Sequence, residues 1–212
     1  MNTPALDRHN ITGVILAGGR GTRMGGVDKG LQEFSGQPLV WHALQRLQPQ
    51  VGSVIINANR HLTRYQQWGV EVHPDPLEDF QGPLAGFLIG LQAARTSHVL
   101  TVPCDSPRFP LDLALRLLTA MHQASADIAM VSAPEVDRHG RRVLRPQPVF
   151  CLLSVQLQHS LQTFLAAGER KIDRWTAQHR TVLVPFDDPQ DDPAAFANIN
   201  TLAELNALPV AS

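Results

Sequence analysis

Short apolar runs of strand-forming residues alternate along the chain with segments in which apolar residues recur every three or four positions. The runs that predict strands lie at 11–17, 54–58, 70–73, 99–102, 128–131 and 149–153. The segments that predict helices lie at 38–47, 84–94, 111–121, 155–165 and 171–178. Strands and helices in alternation are typical of a parallel sheet with helices on its faces. The sequence therefore predicts an α/β fold with a mostly parallel sheet.

The composition fits one globular domain without a broad charged surface. The 212 residues, 43% apolar and 17% charged, can enclose a hydrophobic core, so we expect a single domain over 1–212. The 18 Lys and Arg residues nearly balance 19 Asp and Glu residues, which argues against binding of nucleic acid or of an anionic membrane. The sequence contains no apolar run as long as a signal peptide or a transmembrane helix requires. We therefore expect a cytoplasmic protein that grips any phosphate locally.

The cysteines and histidines do not form a disulfide or metal-binding pattern. Cys104 and Cys151 lie far apart and show neither CxxC nor Cys/His ligand spacing, so we expect both to be buried thiols. The nine histidines are not clustered at ligand spacing either. These residues give no reason to expect zinc or covalent nucleophilic catalysis.

The predicted first strand runs directly into a glycine-rich loop at 16–30, with the sequence Leu-Ala-Gly-Gly-Arg-Gly-Thr-Arg-Met-Gly-Gly-Val-Asp-Lys-Gly. Glycine lacks a Cβ atom, so the backbone N–H groups of such a loop can close around a polyphosphate. The dinucleotide-binding fingerprint does not fit, because Met24 occupies the place of its third glycine. The P-loop motif does not fit either, because Gly30 follows Lys29 where that motif has Ser or Thr.

Three cations, Arg20, Arg23 and Lys29, are distributed through this loop. Fixed positive charge suits a triphosphate that releases pyrophosphate, whereas a dinucleotide site relies mostly on neutral backbone donors. The loop therefore favours a transferase over a dehydrogenase. The alternative is a flexible loop whose cations are solvated, and the five glycines before Lys29 make this the weaker interpretation.

Several sequence blocks, in their order and spacing, resemble those of the molybdenum cofactor guanylyltransferases, a family within the nucleotidyltransferase superfamily. The first block is the loop Leu16-Ala-Gly-Gly-x-x-x-Arg23-Met-Gly-Gly-x-Asp28-Lys29. The others are Asn57-Ala58-Asn59-Arg60, Gly82-Pro83-Leu84-Ala85-Gly86, Pro103-Cys104-Asp105-Ser106-Pro107, Gly168-Glu169-Arg170 and Asn198-Ile199-Asn200-Thr201. The resemblance spans nearly the whole chain.

The resemblance implies an enzyme that transfers GMP from GTP to the terminal phosphate of molybdenum-bound molybdopterin. The products would be the molybdopterin guanine dinucleotide cofactor and pyrophosphate, and Mg²⁺ would be the metal. A three-layer α/β/α Rossmann-like fold is also implied, with a nucleotide-binding part at about 10–110 and an acceptor-binding part at about 111–207. Molybdenum-insertion proteins and molybdoenzyme chaperones are the protein partners expected for such an enzyme, which we expect to be a monomer or a weak oligomer.

By position, the resemblance implies a nucleotide site made of Leu16, Ala17, Gly18, Gly19, Lys29, Asn57, Asp75 and Asp105. It makes Arg23, Lys29 and Asp105 the catalytic residues, with the two cations on the phosphates and a magnesium ion on Asp105. The chemistry of Asp105 supports this role, because it follows an apolar run and so emerges at the strand end where open α/β sheets bind ligands. Magnesium commonly takes one or two carboxylates. The alternative, a cap for the helix after Pro110, fits poorly because Asp105 lies too far before that helix.

Polar residues also follow the second and third predicted strands. Asn57 and Asn59 could bond a ribose or a base, and Asp75, before Pro76, could accept from the N1 and amino groups of guanine. All three are also common turn residues. Gly18 favours guanine as the base, because related cytidylyltransferases resemble Leu-Ala-Ala-Gly at this position and an alanine would leave less room for a purine.

The residues that we predict to bind the acceptor lie in the remaining blocks: Gly82, Gly86, Arg170, Lys171, Asn198 and Asn200. The two glycines bracket a helix start, where backbone can approach a ligand closely. Arg170 and Lys171 would oppose the dipole at the start of a helix, which suggests a phosphate-bearing ligand, with a solvated basic turn as the alternative. Asn198 and Asn200 would share one face at a strand end and could complete the metal or acceptor site.

Three other functions remain open from the sequence. A cytidylyltransferase for the same acceptor would differ only in its donor, and a sugar-phosphate nucleotidyltransferase would share only the first loop. A non-enzymatic GTP sensor would bind the nucleotide and magnesium without releasing pyrophosphate. Two further features concern single sites: Gln147 precedes Pro148 where the family often has a His-Pro pair, and a capping box at 201–204 predicts a final helix.

Overall fold

A seven-stranded sheet forms the centre of the protein, in a computed structural model that describes residues 7–19, 28–75 and 82–199. In chain order, the strands are β1 (Ile11–Leu16), β2 (Glu33–Phe34), β3 (Gln37–Pro38), β4 (Ser53–Asn57), β5 (Glu71–His73), β6 (His98–Pro103), β7 (Ile128–Val136), β8 (Arg142–Ser154) and β9 (Thr181–Pro185). The α-helices are α1 (Leu39–Leu47), α2 (Leu62–Gln66), α3 (Pro83–Ala93), α4 (Leu113–Ala124), α5 (Gln158–Ala166) and α6 (Ile172–Thr176).

The large sheet has the strand order β5-β4-β1-β6-β8-β7-β9, and β2 pairs with β3 in a separate two-stranded sheet. Parallel ladders join β1 to β4 and β6, β4 to β5, and β7 to β9. Only β8 runs against its neighbours, because its ladders with β6 and β7 are antiparallel. The α/β class and the mostly parallel sheet predicted from the sequence are confirmed.

Two hydrophobic cores, one on each face of the sheet, make the fold three-layered. On one face, α1 and α4 pack through residues such as Leu44 and Leu117. On the other, α3, α5 and α6 pack through residues such as Leu88, Leu161 and Trp175. Side chains of a strand alternate between faces, so β1 contributes Ile15 to the first core and Val14 to the second.

Strands β7 and β8 are longer than the sequence predicts. The segment 135–142 lies outside the predicted strand runs, yet it carries the ends of β7 and β8, and 137–141 form the turn between them. Both Asp137 oxygens are used in that turn, since Oδ1 accepts from the N–H groups of His139 and Arg141 and Oδ2 from the Arg141 side chain. The outer ends of β7 and β8 are held by backbone hydrogen bonds to each other. Because backbone pairing does not require apolar side chains, the sequence shows no hydrophobic pattern there.

Some short elements were not predicted at all, namely α2, β2, β3 and β9. Strand β9 has one buried residue, Val184, because it lies at the sheet edge. The helix predicted from Thr201 lies outside the described residues. None of the helices within 7–19, 28–75 and 82–199 is long and apolar enough to cross a membrane.

Candidate active site

The carboxyl ends of β1, β4 and β6 meet at one edge of the sheet. Leu16 is in register with Asn57 on one side and with Pro103 on the other. One further hydrogen bond extends each ladder, from Ala17 N to Asn57 O (2.8 Å) and from Cys104 N to Leu16 O (3.1 Å). Whatever follows these three strands is therefore brought together, as expected for the ligand-binding edge of an open α/β sheet.

A network of side-chain amides surrounds the carboxylate of Asp75. Asn57 Nδ2 donates to Asp75 Oδ1 at 2.9 Å, and Asn59 Nδ2 donates to Asp75 Oδ2 at 2.7 Å. Asn59 Nδ2 also donates to the Gly18 carbonyl at 3.1 Å, and Asn59 Oδ1 accepts from the backbone N–H of Asp75 at 2.7 Å. Of the predicted nucleotide residues, Asn57 thus bonds Asp75 directly, and Asn59 links Asp75 to Gly18.

Gly18 and Gly86 both lie against the buried amide of Asn57, which is 3% exposed. A Cβ atom added at Gly18 would lie 3.1 Å from Asn57 Oδ1, and one added at Gly86 would lie 2.6 Å from the same atom. The Gly86 Cβ would also meet Leu16 Cδ2. Gly86, predicted to bind the acceptor, is therefore placed behind the nucleotide residues, where its lack of a side chain makes room for Asn57.

Lys29 and Asp105 form an ion pair, with 2.5 Å between Lys29 Nζ and Asp105 Oδ2. Lys29 opens the short 3-10 helix Lys29–Leu31 after the glycine-rich loop, and Asp105 is the second residue after β6. The two side chains are 25% and 16% exposed, so both are accessible from the edge of the sheet. A cation and a carboxylate so close can act on the same phosphate group, the cation directly and the carboxylate through a metal ion.

Asp28, the residue before Lys29, is held from below by a buried tyrosine. The Tyr65 hydroxyl donates to Asp28 Oδ1 at 2.6 Å, while Tyr65 is fully buried and Asp28 is 8% exposed. Burial, and then this hydrogen bond, raise the pKa of the Tyr65 phenol, so the hydroxyl keeps its proton and remains a donor. A Cβ atom at Gly30 would lie 2.5 Å from the same hydroxyl oxygen. Tyr65 therefore bonds the side chain of Asp28 and packs closely against Gly30, the two residues that flank Lys29.

The two cysteines are buried, as predicted. Burial raises the pKa of the Cys104 thiol, and the nearby charge of Asp105 acts in the same direction. Burial likewise raises the pKa of the Cys151 thiol. Because the thiolate is the reactive form, neither residue is suited to nucleophilic catalysis.

Asn198 is placed beside Asp105 by the segment before the end of the described chain. The hydroxyl of Ser106, a fully buried residue, donates to Asn198 Oδ1 at 2.7 Å, and Ile199 N donates to the Asp105 carbonyl at 2.8 Å. The sequence predicted that a strand ends at this segment. The structure shows none in the described part of the segment, because β9 ends at Pro185 and 198–199 are irregular. The alternation argument was therefore wrong for Asn198, although Asn198 does lie beside Asp105. Asn200 lies outside the described residues.

Arg170 and Lys171 lie in the short connection between the end of α5 and the start of α6. Arg170 Nη1 donates to the carbonyls of Leu165 (2.9 Å) and Glu169 (2.7 Å), beyond the last turn of α5. A cation there complements the dipole of α5, a contact that the sequence did not predict, while the predicted helix start is confirmed at α6. Gly168, at φ +86°, makes the left-handed turn that ends α5. Lys171 precedes α6 and is exposed.

Gly82 and Arg23 were also predicted to bind ligands. Gly82 precedes α3 with φ +117°, a conformation that favours glycine, so the helix start predicted there is confirmed. Arg23, predicted to bind phosphate, lies outside the described residues. Within the described ranges, no three His, Cys, Asp or Glu side chains converge as a metal site. A single carboxylate at an open edge, such as Asp105, is nonetheless compatible with magnesium, which takes its other ligands from phosphates and water.

Known proteins with a similar sequence identify the family of this chain. Residues 13–182 match the family of the MobA-like NTP transferase domain. A molybdenum cofactor guanylyltransferase from an Acidovorax species is 63% identical over 204 residues, which are 96% of this chain and 97% of the relative. One from Bordetella pertussis is 52% identical over 203 residues, which are 96% and 98% of the two chains. The chain belongs to the molybdenum cofactor guanylyltransferase family.

Solved structures share the fold of this guanylyltransferase family member. The molybdopterin-guanine dinucleotide biosynthesis protein A of Archaeoglobus fulgidus superposes with a TM-score of 0.71 at 20% identity, covering 92% of this chain and 95% of the other. The 4-diphosphocytidyl-2C-methyl-D-erythritol synthase of Anaerococcus prevotii gives 0.69 at 13% identity, covering 95% of each chain. At such identities the likeness concerns the fold alone.

Sequence reasoning missed several residues that shape this guanylyltransferase site. Tyr65 lies in the short helix α2, which the periodicity of the sequence does not predict. A buried tyrosine usually needs a hydrogen-bond partner for its hydroxyl, but the sequence does not show that this partner is Asp28. Arg60 donates to the Gly19 carbonyl at 3.2 Å, and Ser106 bonds Asn198. Both belong to recognised blocks, but nothing in the sequence indicates which backbone or side chain they contact.

Proposed function

We propose that this chain transfers the GMP moiety of GTP to the terminal phosphate of molybdenum-bound molybdopterin. Membership in the guanylyltransferase family makes it a nucleotidyltransferase. The observation that carries the choice of substrate is the carboxylate of Asp75, which lies beside Gly18 at the same edge of the sheet as the Lys29–Asp105 pair. The base-reading group follows β5 and the phosphate-binding group follows β6, with β4 and β1 between them in the sheet.

Guanine is the base that this arrangement favours. Its Watson–Crick edge presents two donors, the N1–H and the 2-amino group, to a carboxylate with two acceptor oxygens. Cytosine presents one donor and two acceptors on that edge, so a fixed carboxylate would repel it. Gly18 keeps the space beside Asn57 and Asn59 open, since a Cβ atom there would lie 3.0 Å from Asn59 Nδ2.

The phosphates are held by fixed charge in this proposal. Lys29, with Arg23 from the glycine-rich loop, neutralises the β- and γ-phosphates that leave as pyrophosphate. Magnesium held by Asp105 and by phosphate oxygens would withdraw charge from the α-phosphate when bound. The Tyr65 hydroxyl holds Asp28, the residue before Lys29, by a 2.6 Å hydrogen bond. In this way Tyr65 keeps Lys29 beside the phosphates.

The reaction needs no strong base. An acceptor phosphate is already ionised at neutral pH, so its oxygen attacks the α-phosphorus directly while the bond to the bridging oxygen breaks. Pyrophosphate leaves with the electron pair of that bond. We place the nucleotide over residues at about 10–110 and the acceptor over those at about 111–207, with Asn198, Asn200 and Lys171 as acceptor residues.

The test is transfer of label from α-phosphate-labelled GTP to molybdenum-bound molybdopterin in the presence of magnesium, with labelled CTP in parallel. Label that moves from GTP alone supports the proposal. Label that moves from CTP keeps the reaction but contradicts the base assignment. If nucleotide binds and no label moves from either, the chain acts on another acceptor or is a sensor.

A further inference from the structure

We propose that Asn59 is a positioning residue that sets the preference for guanine, by holding the Asp75 carboxylate at a fixed place beside Gly18. The inference rests on the proposed function, because it concerns how the same site reads its base. Asn59 is not itself expected to contact the reacting atoms. It acts through Asp75.

The side-chain amide of Asn59 forms its hydrogen bonds with other residues of the protein. Its nitrogen donates to Asp75 Oδ2 (2.7 Å) and to the Gly18 carbonyl (3.1 Å), while its oxygen accepts from Asp75 N (2.7 Å). A primary amide has two N–H donors, so both are used. Asn59 thus grips Asp75 by backbone and side chain at once and ties it to the first strand's loop.

The exposure of Asn59 argues that this network serves binding rather than folding. The residue is exposed at the sheet edge, where water could satisfy the same groups. Hydrogen bonds at such a place add little net stability, because folding only exchanges water for protein partners. Ordering a solvent-facing amide against a carboxylate is explained if that carboxylate must have one orientation.

The orientation of the Asp75 carboxylate decides which of its acceptor positions face the base. An ionised carboxylate offers about four acceptor positions, and Asn57 and Asn59 each fill one, on different oxygens. Among the described residues, no other donor fills the second position on either oxygen, and these two positions match the two donors of guanine, N1–H and the 2-amino group. If Asp75 rotated about its side chain, one of these two donors would lose its acceptor.

Inosine triphosphate is the probe that isolates this effect, because inosine keeps N1–H and lacks the 2-amino group. We expect the wild-type enzyme to prefer GTP to ITP in kcat/KM. Asn59→Ala should lower kcat/KM for GTP by about tenfold, the effect of misplacing one hydrogen bond to a charged group. It should lower kcat/KM for ITP much less, so the GTP-to-ITP ratio falls towards one.

A matched control and a double mutant separate positioning from general disturbance. Arg60→Ala removes a neighbouring bond to the same loop, at Gly19, and leaves the Asn59–Asp75 contact intact, so it should preserve the GTP-to-ITP ratio. Asp75→Ala should lower the ratio as Asn59→Ala does. The double variant should be no worse in this ratio than Asp75→Ala alone, because Asn59 acts through Asp75.

The outcomes distinguish this inference from the proposed function. A wild-type enzyme that transfers GMP but shows no preference for GTP over ITP overturns the inference and leaves the transfer reaction standing. So does an Asn59→Ala variant that keeps the wild-type ratio. A ratio that falls equally in Arg60→Ala would show loss of loop structure instead of positioning. Failure of the wild type to transfer from any nucleotide contradicts the proposed function itself.

Discussion

Lys29 Nζ lies 2.5 Å from Asp105 Oδ2, so the last cation of the glycine-rich loop meets the carboxylate that follows β6. The two residues are 76 positions apart in the chain. Their contact joins the loop after β1 to the loop after the neighbouring strand, at the edge where parallel sheets bind ligands. A triphosphate bound beside this pair would meet positive charge from Lys29 and from a magnesium ion held by Asp105.

Replacing Asp105 by asparagine should abolish transfer while leaving the fold intact. The amide keeps the volume of the carboxylate but loses the charge that holds magnesium, and we expect kcat to fall by at least about a hundredfold. The melting temperature should change by only a few degrees, since the side chain is partly exposed. Label transfer at saturating magnesium and thermal unfolding measure the two effects. Near wild-type transfer by this variant would remove Asp105 from the mechanism.

Gly18→Ala should change base preference more than stability. The added Cβ atom would lie 3.0 Å from Asn59 Nδ2 and 3.1 Å from Asn57 Oδ1, so these amides must shift by a few tenths of an ångström. That shift moves the Asp75 carboxylate, which both amides bond and which is proposed to bind guanine. We therefore expect the GTP-to-CTP ratio of kcat/KM to fall. Gly19→Ala is the control, because a Cβ atom there meets no atom of the described residues within 4 Å. An unchanged ratio in Gly18→Ala would separate Gly18 from base selection.

Gly86→Ala should damage nucleotide binding and stability together. Its Cβ atom would overlap Leu16 Cδ2 and lie 2.6 Å from the buried Asn57 amide, an overpacking that costs about 1–3 kcal/mol. We expect a raised KM for GTP and an unchanged KM for the acceptor, with denaturant unfolding reporting the stability. A raised KM for the acceptor alone would support the acceptor-binding role predicted from the sequence.

Tyr65→Phe tests whether the buried hydroxyl holds Lys29 in place. Phenylalanine keeps the packing but leaves Asp28 Oδ1 without its donor, which should destabilise the protein by about 1–3 kcal/mol. Because Asp28 adjoins Lys29, kcat should fall as well. Leu117→Ala, in the same hydrophobic core at α4, provides a variant of lowered stability. If that variant and Tyr65→Phe lose activity equally at equal stability, the hydroxyl has no separate role.

The stability of the far sheet edge should depend on pH through Asp127. Hydrogen bonds from the Arg180 side chain, at 3.0 and 3.2 Å, hold the pKa of the Asp127 carboxyl below its usual range. A carboxyl with a lowered folded-state pKa contributes stability above its unfolded pKa, and this is lost as pH falls through the folded value. Wild type should therefore melt above Asp127→Asn near neutral pH, and the gap should narrow below about pH 4. A gap that is constant with pH would assign the effect to packing.

Several features of the fold follow from local sequence alone. The apolar runs at 11–17, 54–58 and 99–102 fall on β1, β4 and β6, because a strand buried on both faces must be apolar throughout. The helical segment at 38–47 falls on α1 for a similar reason, since its buried face repeats with the period of a helix. Elements that bury little, such as β9 and the outer parts of β7 and β8, carry no such pattern and were missed.

The sequence by itself determined the fold class, the position of the glycine-rich loop and the residues at three strand ends. These depend on periodicity and on chain order, which are local properties. Only the tertiary structure decided that Asn59 fastens Asp75, that Tyr65 holds Asp28, that Arg170 bonds the end of α5 and that β8 runs antiparallel. Asn59 and Asp75 are 16 residues apart, and Tyr65 and Asp28 are 37 apart. A polar side chain can satisfy its hydrogen bonds in many ways, and packing of distant segments selects the partner.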